Sequence, residues 1–239
     1  MKLGLCQMPV TASKTENHAT MRRYVRDATA AGCDLVVLPE MWCCPYSNAA
    51  FAEYAEPQGG ETWCLLRDTA REYDIWLVAG SVPERDGDAI YNTCYVFDPQ
   101  GAQRAKHRKV HLFDIDVVDG QRFFESDTLS PGQHYTLFDT PFGKVGVAIC
   151  FDVRFAELFR ILALEGAQLI VVPAAFNMTT GPAHWELLFR ARALDNQCFL
   201  AGCAPARDET AGYVSYAHSL VCDPVSYTHL RAHETELHL

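Results

Sequence analysis

Cys150, Glu40 and Lys109 supply between them a nucleophile, a proton carrier and a fixed cation. Each stands at or just past the end of an apolar run. Cys150 closes Val145-Gly-Val-Ala-Ile149, Glu40 follows Leu35-Val-Val-Leu38-Pro39 directly, and Lys109 is delivered by the strand-like stretch from Ala102 to Arg108. A carboxylate can take a thiol proton, and an ammonium can stabilise the oxyanion formed when sulfur adds to a carbonyl. The backbone N–H of Phe151, next after the sulfur, is the natural second donor. Phe155, Leu158, Phe159 and Leu162 then recur at helical spacing. Cys150 is therefore expected where a buried strand turns into a helix, whose positive end favours the thiolate. If the three strands are neighbours in one sheet, the three side chains converge at one edge. Spacing alone carries this as far as a thiol hydrolase.

The elements that must position these groups can be read in order. Leu3 to Met8 reads as a strand closed by Pro9. Ser13-Lys-Thr-Glu16 has the form of a capping box, with Met21, Tyr24, Val25 and Ala28 as the helical face behind it and Gly32 as its stop. Leu35 to Leu38 is a short buried strand. A helix is expected between Gly60 and Tyr73, and strands over Trp76–Ser81, Tyr91–Phe97 and Ala102–Arg108, the last two joined by the turn Pro99-Gln-Gly101. The polar and aromatic stretch from His111 to His134 reads as a long connection, of the kind that serves as a lid or binding loop. Strands near Tyr135–Phe138, before Cys150, at Leu169–Val172, near Cys198–Ala204 and near Ala217–Val221 follow, with a helix from His184 to Asn196. Strands and helices alternate at both ends around an antiparallel interruption. That order predicts an α/β fold with a mixed sheet or two sheets.

The 239 residues need no more than one large core, and their formal net charge of -10 speaks against an unaided nucleic-acid or anionic-membrane surface. The ten cysteines are scattered, with no C-x-x-C pair and no ligand quartet, and no apolar run approaches the length of a membrane span. No secretory signal opens the chain, so a reduced cytoplasm is the expected compartment.

Three blocks carry a resemblance: Leu38-Pro39-Glu40-Met41, His107-Arg108-Lys109-Val-His-Leu-Phe-Asp114, and Gly146-Val-Ala-Ile-Cys150-Phe-Asp-Val-Arg154-Phe155. They resemble the motifs of the nitrilase superfamily, the carbon–nitrogen hydrolases. Phe123-Phe-Glu125-Ser, Leu129-Ser-Pro-Gly132, Asn177 to Glu186 and Arg192 to Gln197 extend the likeness, in particular to its omega-amidase branch. The resemblance implies a four-layer αββα sandwich that dimerises through a helical face, with no cofactor and no metal. It implies Cys150 as nucleophile, Glu40 as general base and acid, Lys109 as oxyanion stabiliser, and Glu125 as a second carboxylate beside the lysine. It also implies a small-molecule amide substrate, a short dicarboxylate monoamide such as 2-oxoglutaramate or succinamate. The far carboxylate of such a molecule needs a cation, and Arg154 is the expected one, a structural pair with Asp152 or Glu157 being its competing role. Tyr46, Thr179 and Thr180 are expected in the pocket wall, with core and turn roles as the alternative. Trp185 fits packing better.

The likeness covers residues 2 to 224, expected as a single hydrolase domain over 1–224. After Cys222-Asp-Pro224 it stops, and Val225 to Leu239 is expected to be a non-native tail on a C-terminally truncated domain. Other activities of the superfamily remain open, namely deaminated-glutathione amidase, N-carbamoyl hydrolase and nitrilase. A metabolite-binding protein without catalysis is the reading of a different class.

Overall fold

A computed structural model describes residues 1–117 and 122–230. Residues 231–239 of the expected tail, and 118–121 within the long connection, lie outside the described residues. Strands β1 (Leu3–Leu5), β2 (Leu35–Val37), β3 (Trp76–Val78), β4 (Val82–Asp86), β5 (Ala89–Phe97) and β6 (Gln103–Arg108) form a first sheet. The nine-residue β5 is its hub, pairing antiparallel with β3 and β4 along one edge and with β6 along the other. Strands β7 (Asp114–Asp116) and β8 (Arg122–Phe124) make a separate antiparallel pair inside the connection expected to be a loop. A second sheet holds β9 (Thr136–Thr140), β10 (Gly143–Val147), β11 (Leu169–Pro173), β12 (Phe199–Cys203), β13 (Leu220–Cys222) and β14 (Thr228–Leu230). Its centre, β10-β11-β12, is parallel. β14 pairs antiparallel with β13, within a stretch whose sequence shows no strand period.

The helices are α1 (Lys14–Ala30), α2 (Asn48–Tyr54), α3 (Glu61–Glu72), α4 (Ala156–Leu164) and α5 (Gly181–Asn196). Only half of the capping box forms at α1. The Ser13 hydroxyl accepts from Glu16 N at 3.2 Å, whereas Ser13 N donates to Thr11 Oγ1, which in turn donates to the Glu16 carboxylate. Met21 and Val25 on this helix are fully buried, as their spacing predicts.

Strand periodicity sorts the layers. On β2 and β3, Leu35, Val37, Trp76 and Val78 join a core shared with the second sheet, where Trp76 stacks on Phe138 with ring centroids 5.8 Å apart. Val36, Leu38 and Leu77 join a separate core with Met21, Val25, Leu66 and Ala70 of α1 and α3. Trp185, Phe189 and Ala193 of α5 and Leu158, Phe159 and Leu162 of α4 pack on the far side of the second sheet. The order is helices, sheet, sheet, helices, the expected αββα sandwich. One expectation is corrected: β2 and β6, which precede Glu40 and Lys109, lie in the first sheet, while β10 and Cys150 belong to the second. The reacting groups meet across the two sheets, not along the edge of one.

Candidate active site

Glu40 leaves β2 through a turn that the β3 exit clamps. Pro39 O accepts from Ser81 N, Met41 N donates to Ser81 Oγ at 3.1 Å, and Trp42 Nε1 donates to Ala79 O at 3.1 Å. Gly80 makes the clamp possible. Its φ is +53°, and a Cβ there would sit 2.2 Å from Pro39 O. The clamp leaves the Glu40 carboxylate buried.

Lys109 is fixed at its backbone by two neighbours, donating to Asn92 O at 2.9 Å and accepting from Gly132 N at 2.8 Å. Its ammonium is fully buried and donates to Glu40 Oε1 at 2.9 Å and to Glu125 Oε1 at 2.9 Å. Burial alone would lower the lysine pKa, but the carboxylates of Glu125 and Glu40 outweigh it and push the group up, so it stays charged. Glu125 opens a 3-10 turn (Glu125–Asp127) directly after β8. Its backbone N–H donates to Phe113 O, and its Oε2 accepts from Phe113 N at 2.7 Å. The small β7–β8 hairpin thus replaces a loose loop with a hydrogen-bonded mount for the second carboxylate. Burial raises the Glu125 carboxyl, against the pull of Lys109.

Cys150 begins a 3-10 turn (Cys150–Arg154) with φ at +46°, a left-handed conformation uncommon for a residue with a Cβ. Such strain is characteristic of nucleophiles presented on a sharp turn. Asp152 fixes the turn. Its buried carboxylate accepts from Ile149 N at 2.9 Å and from His111 N at 2.9 Å, with His111 Nδ1 at 2.8 Å and His107 Nε2 at 3.5 Å. Burial would raise this carboxyl, yet the two imidazoles and the backbone donors hold it well below the usual carboxylate range. Asp152 therefore ties the sulfur's turn to the segment that carries Lys109.

The α-helix begins only at Ala156, so the expected thiolate at a helix N-terminus is not what the structure contains. Burial, and next the charge of Glu40, push the Cys150 thiol well above its ordinary value, while Lys109 and the Ala175 N–H pull the other way without overcoming them. The resting group is a thiol beside a carboxylate, an arrangement that needs a base.

The Cys150 pocket is lined by Phe113, Phe151, Arg154, Ala175, Phe176, Asn177, Thr180 and Tyr213 and is closed down to about 10 Å³. Tyr213 and Ala175 also border a cleft of about 810 Å³ that reaches Glu40 and Tyr46. Arg154 pairs with neither Asp152 nor Glu157. Its Nη2 lies 3.1 Å from His184 Nδ1, the guanidinium stands over the rings of Phe151 and Phe176, and Nε is buried with no hydrogen-bond partner among the described residues. Thr180 is in the wall, while Thr179 is exposed and outside it. Both donate through their backbone N–H to Asn177 Oδ1, a turn role. Tyr46 bridges the two carboxylates, with its hydroxyl 2.5 Å from Glu125 Oε1 and 3.3 Å from Glu40 Oε1. Trp185 packs on Phe176 and Phe189.

Sequence reading passed over Asn92, whose Nδ2 donates to Glu40 Oε1 at 2.8 Å, and the orienting role of Asp152. A signal existed for the first, since a buried asparagine inside a strand of Tyr, Ile, Thr and Val runs against strand preference. Phe113, Phe176 and Tyr213 carried none, because nothing in their spacing marks them as neighbours of Cys150.

The sequence pattern of the carbon–nitrogen hydrolase family matches residues 2–236. The chain is similar to the omega-amidase NIT2 of Danio rerio, 52% identical over 93% of this chain and 80% of that protein. It is similar to the omega-amidase NIT2-A of Xenopus laevis, 53% identical over 93% of this chain and 81% of the relative. Among solved structures it resembles Saccharomyces cerevisiae Nit3, a member of branch 10 of the nitrilase superfamily. The TM-score is 0.90 at 39% identity, covering 99% of this chain and 87% of the other.

Proposed function

From the premise that this chain belongs to the carbon–nitrogen hydrolase family, we propose that it removes the terminal amide of a short dicarboxylate monoamide, of the 2-oxoglutaramate or succinamate type, releasing ammonia. The carrying observation is that a thiol, a carboxylate and a buried ammonium meet beside an arginine with no carboxylate partner among the described residues. Relatives bearing the name omega-amidase at about half identity support the substrate class.

Glu40 takes the Cys150 proton and the sulfur adds to the amide carbon. Lys109 and the Phe151 N–H hold the oxyanion. Glu40 then returns the proton to nitrogen, the C–N bond breaks, and ammonia leaves a thioester on Cys150. Water gives a proton to Glu40 and attacks the thioester; the C–S bond breaks, the sulfur regains a proton and the acid departs. Glu125 and Tyr46 keep the ammonium and the base in register. Arg154 takes the far carboxylate, and Thr180 borders it. The domain over residues 1–224 works as a homodimer, as the exposed apolar side chains of α4 and α5 support.

Ammonia release from 2-oxoglutaramate and succinamate is the test. Cys150→Ala should abolish it. Arg154→Leu should cut kcat/KM for these acids about tenfold to a hundredfold, the worth of a charge-assisted hydrogen bond, while sparing a neutral amide such as butyramide. No release by the folded wild-type chain would sink the proposal.

A further inference from the structure

Glu40 presents two unequal oxygens. Oε1 accepts from Asn92 Nδ2 at 2.8 Å and Lys109 Nζ at 2.9 Å, with the Tyr46 hydroxyl more distant at 3.3 Å. Oε2 is buried with no hydrogen-bond partner among the described residues. Ala175 and Tyr213 border both the Cys150 pocket and the cleft that contains Glu40, so the thiol and this carboxylate lie on either side of the same wall. An oxygen already saturated by donors is a poor proton acceptor, and a bare one is a good one. Oε2 is therefore the oxygen left free to take a proton.

Lys109 divides its bonds between Glu40 and Glu125, and Tyr46 gives its one proton to Glu125. Asn92 does neither. It is fully buried on β5, where its own backbone carbonyl accepts from Lys109 N, and its side-chain donor goes to Glu40. Its Oδ1 is buried and unpartnered among the described residues. A buried amide that leaves its acceptor unmet is a poor device for stability, since desolvating that oxygen is not repaid. A neutral donor also adds no positive charge that would weaken the base.

We propose that Asn92 is a positioning residue for proton transfer, holding the Glu40 carboxylate by Oε1 so that Oε2 faces the Cys150 thiol. The proposal rests on Glu40 being the base in the reaction above. The experiment compares Asn92→Leu, which keeps the volume and removes both the donor and the orphan acceptor, with Asn92→Ala and Glu40→Gln. Steady-state ammonia release and thermal unfolding are measured for each. For Asn92→Leu, kcat should fall about a hundredfold, the scale of a small misplacement of reacting groups, with KM within about threefold of wild type and a melting temperature equal or higher. Asn92→Ala should show the same loss of kcat despite its smaller side chain. A kcat for either folded variant within about threefold of wild type overturns the proposal. So does a failure of Asn92→Leu to fold, which would make the amide part of the scaffold. If Glu40→Gln itself turns over normally, the reading of Glu40 as base fails instead.

Discussion

Lys109 is fully buried and hydrogen-bonds two carboxylates at once, Glu40 and Glu125. Truncating it to alanine removes an oxyanion donor, which lowers kcat about a hundredfold to a thousandfold. The sequence suggests only that loss. The structure adds another, because two buried carboxylates then share a site with no cation. Breaking a buried ion pair by deleting one member costs about 3–5 kcal/mol. The sign with pH follows from Glu125, which burial already raises. Without the ammonium it rises further, so it is neutral when folded and ionised when unfolded. A carboxyl raised in the folded state contributes stability below its unfolded pKa and loses it as pH rises through the folded one. Urea unfolding of Lys109→Ala should therefore show a wide deficit against wild type at pH 8 and a narrower one at pH 5. An equal deficit at both values would mean that no carboxylate is left stranded.

Among the elements, Asp152 ties the turn after β10 to the end of β6 and the segment that follows it, through Ile149 N on one side and His107 and His111 on the other. Asp152→Asn keeps the shape and gives up the charge. Hydrogen bonds to a charged group contribute about 1.5–3 kcal/mol each, so the variant should lose at least that much, and turnover with it. Asp152 is depressed in the folded chain, so its contribution is present above the unfolded carboxylate range and lost as pH falls through the folded value. Denaturation midpoints of the two proteins should accordingly converge below about pH 4, the ordinary range of an aspartate; curves that stay parallel would contradict the assignment. This linkage also marks where sequence reading stops. Glu40 and Cys150 were legible because a buried strand ends just before each, and burial leaves an apolar signature; β6 before Lys109 is polar and mostly half-buried, so Lys109 was legible only through its motif block. The partition of those strands into two sheets was not, since β2 and β10 look alike as short apolar runs. β4, α2 and the β7–β8 hairpin were missed for a related reason. Asp114-Ile-Asp116 has little strand character of its own, and it is a strand because it pairs with Arg122–Phe124, directly before Glu125.

At the scale of the whole molecule, the large apolar side chains that the helices leave exposed lie, among the described residues, on the outside of α4 and α5. There Leu164 is 78% exposed and Leu187 65%, with Ile161 and Leu194 also exposed. Leu187 and Leu194 lie two turns apart on one face of α5, and Arg160 of α4 reaches the Asp195 carbonyl at the end of that helix, so the two helices present these side chains side by side. Scattered exposed leucines are ordinary, but three leucines and an isoleucine on adjoining helices make a patch of the kind that marks an interface. A second copy meeting this face about a two-fold axis would bring each patch against its own equivalent, which requires no complementary surface elsewhere. Two chains of formal net charge -10 repel one another, and salt screens that repulsion while leaving apolar contact intact. The association should therefore tighten as salt rises from about 0.02 to about 0.5 M, a range over which the screening length falls severalfold. Sedimentation velocity on wild type should show a two-chain species that grows with salt, and Leu164→Lys combined with Leu187→Lys should leave one chain with its folding intact. An association that instead weakens with salt would place charged pairs, not these leucines, at the contact.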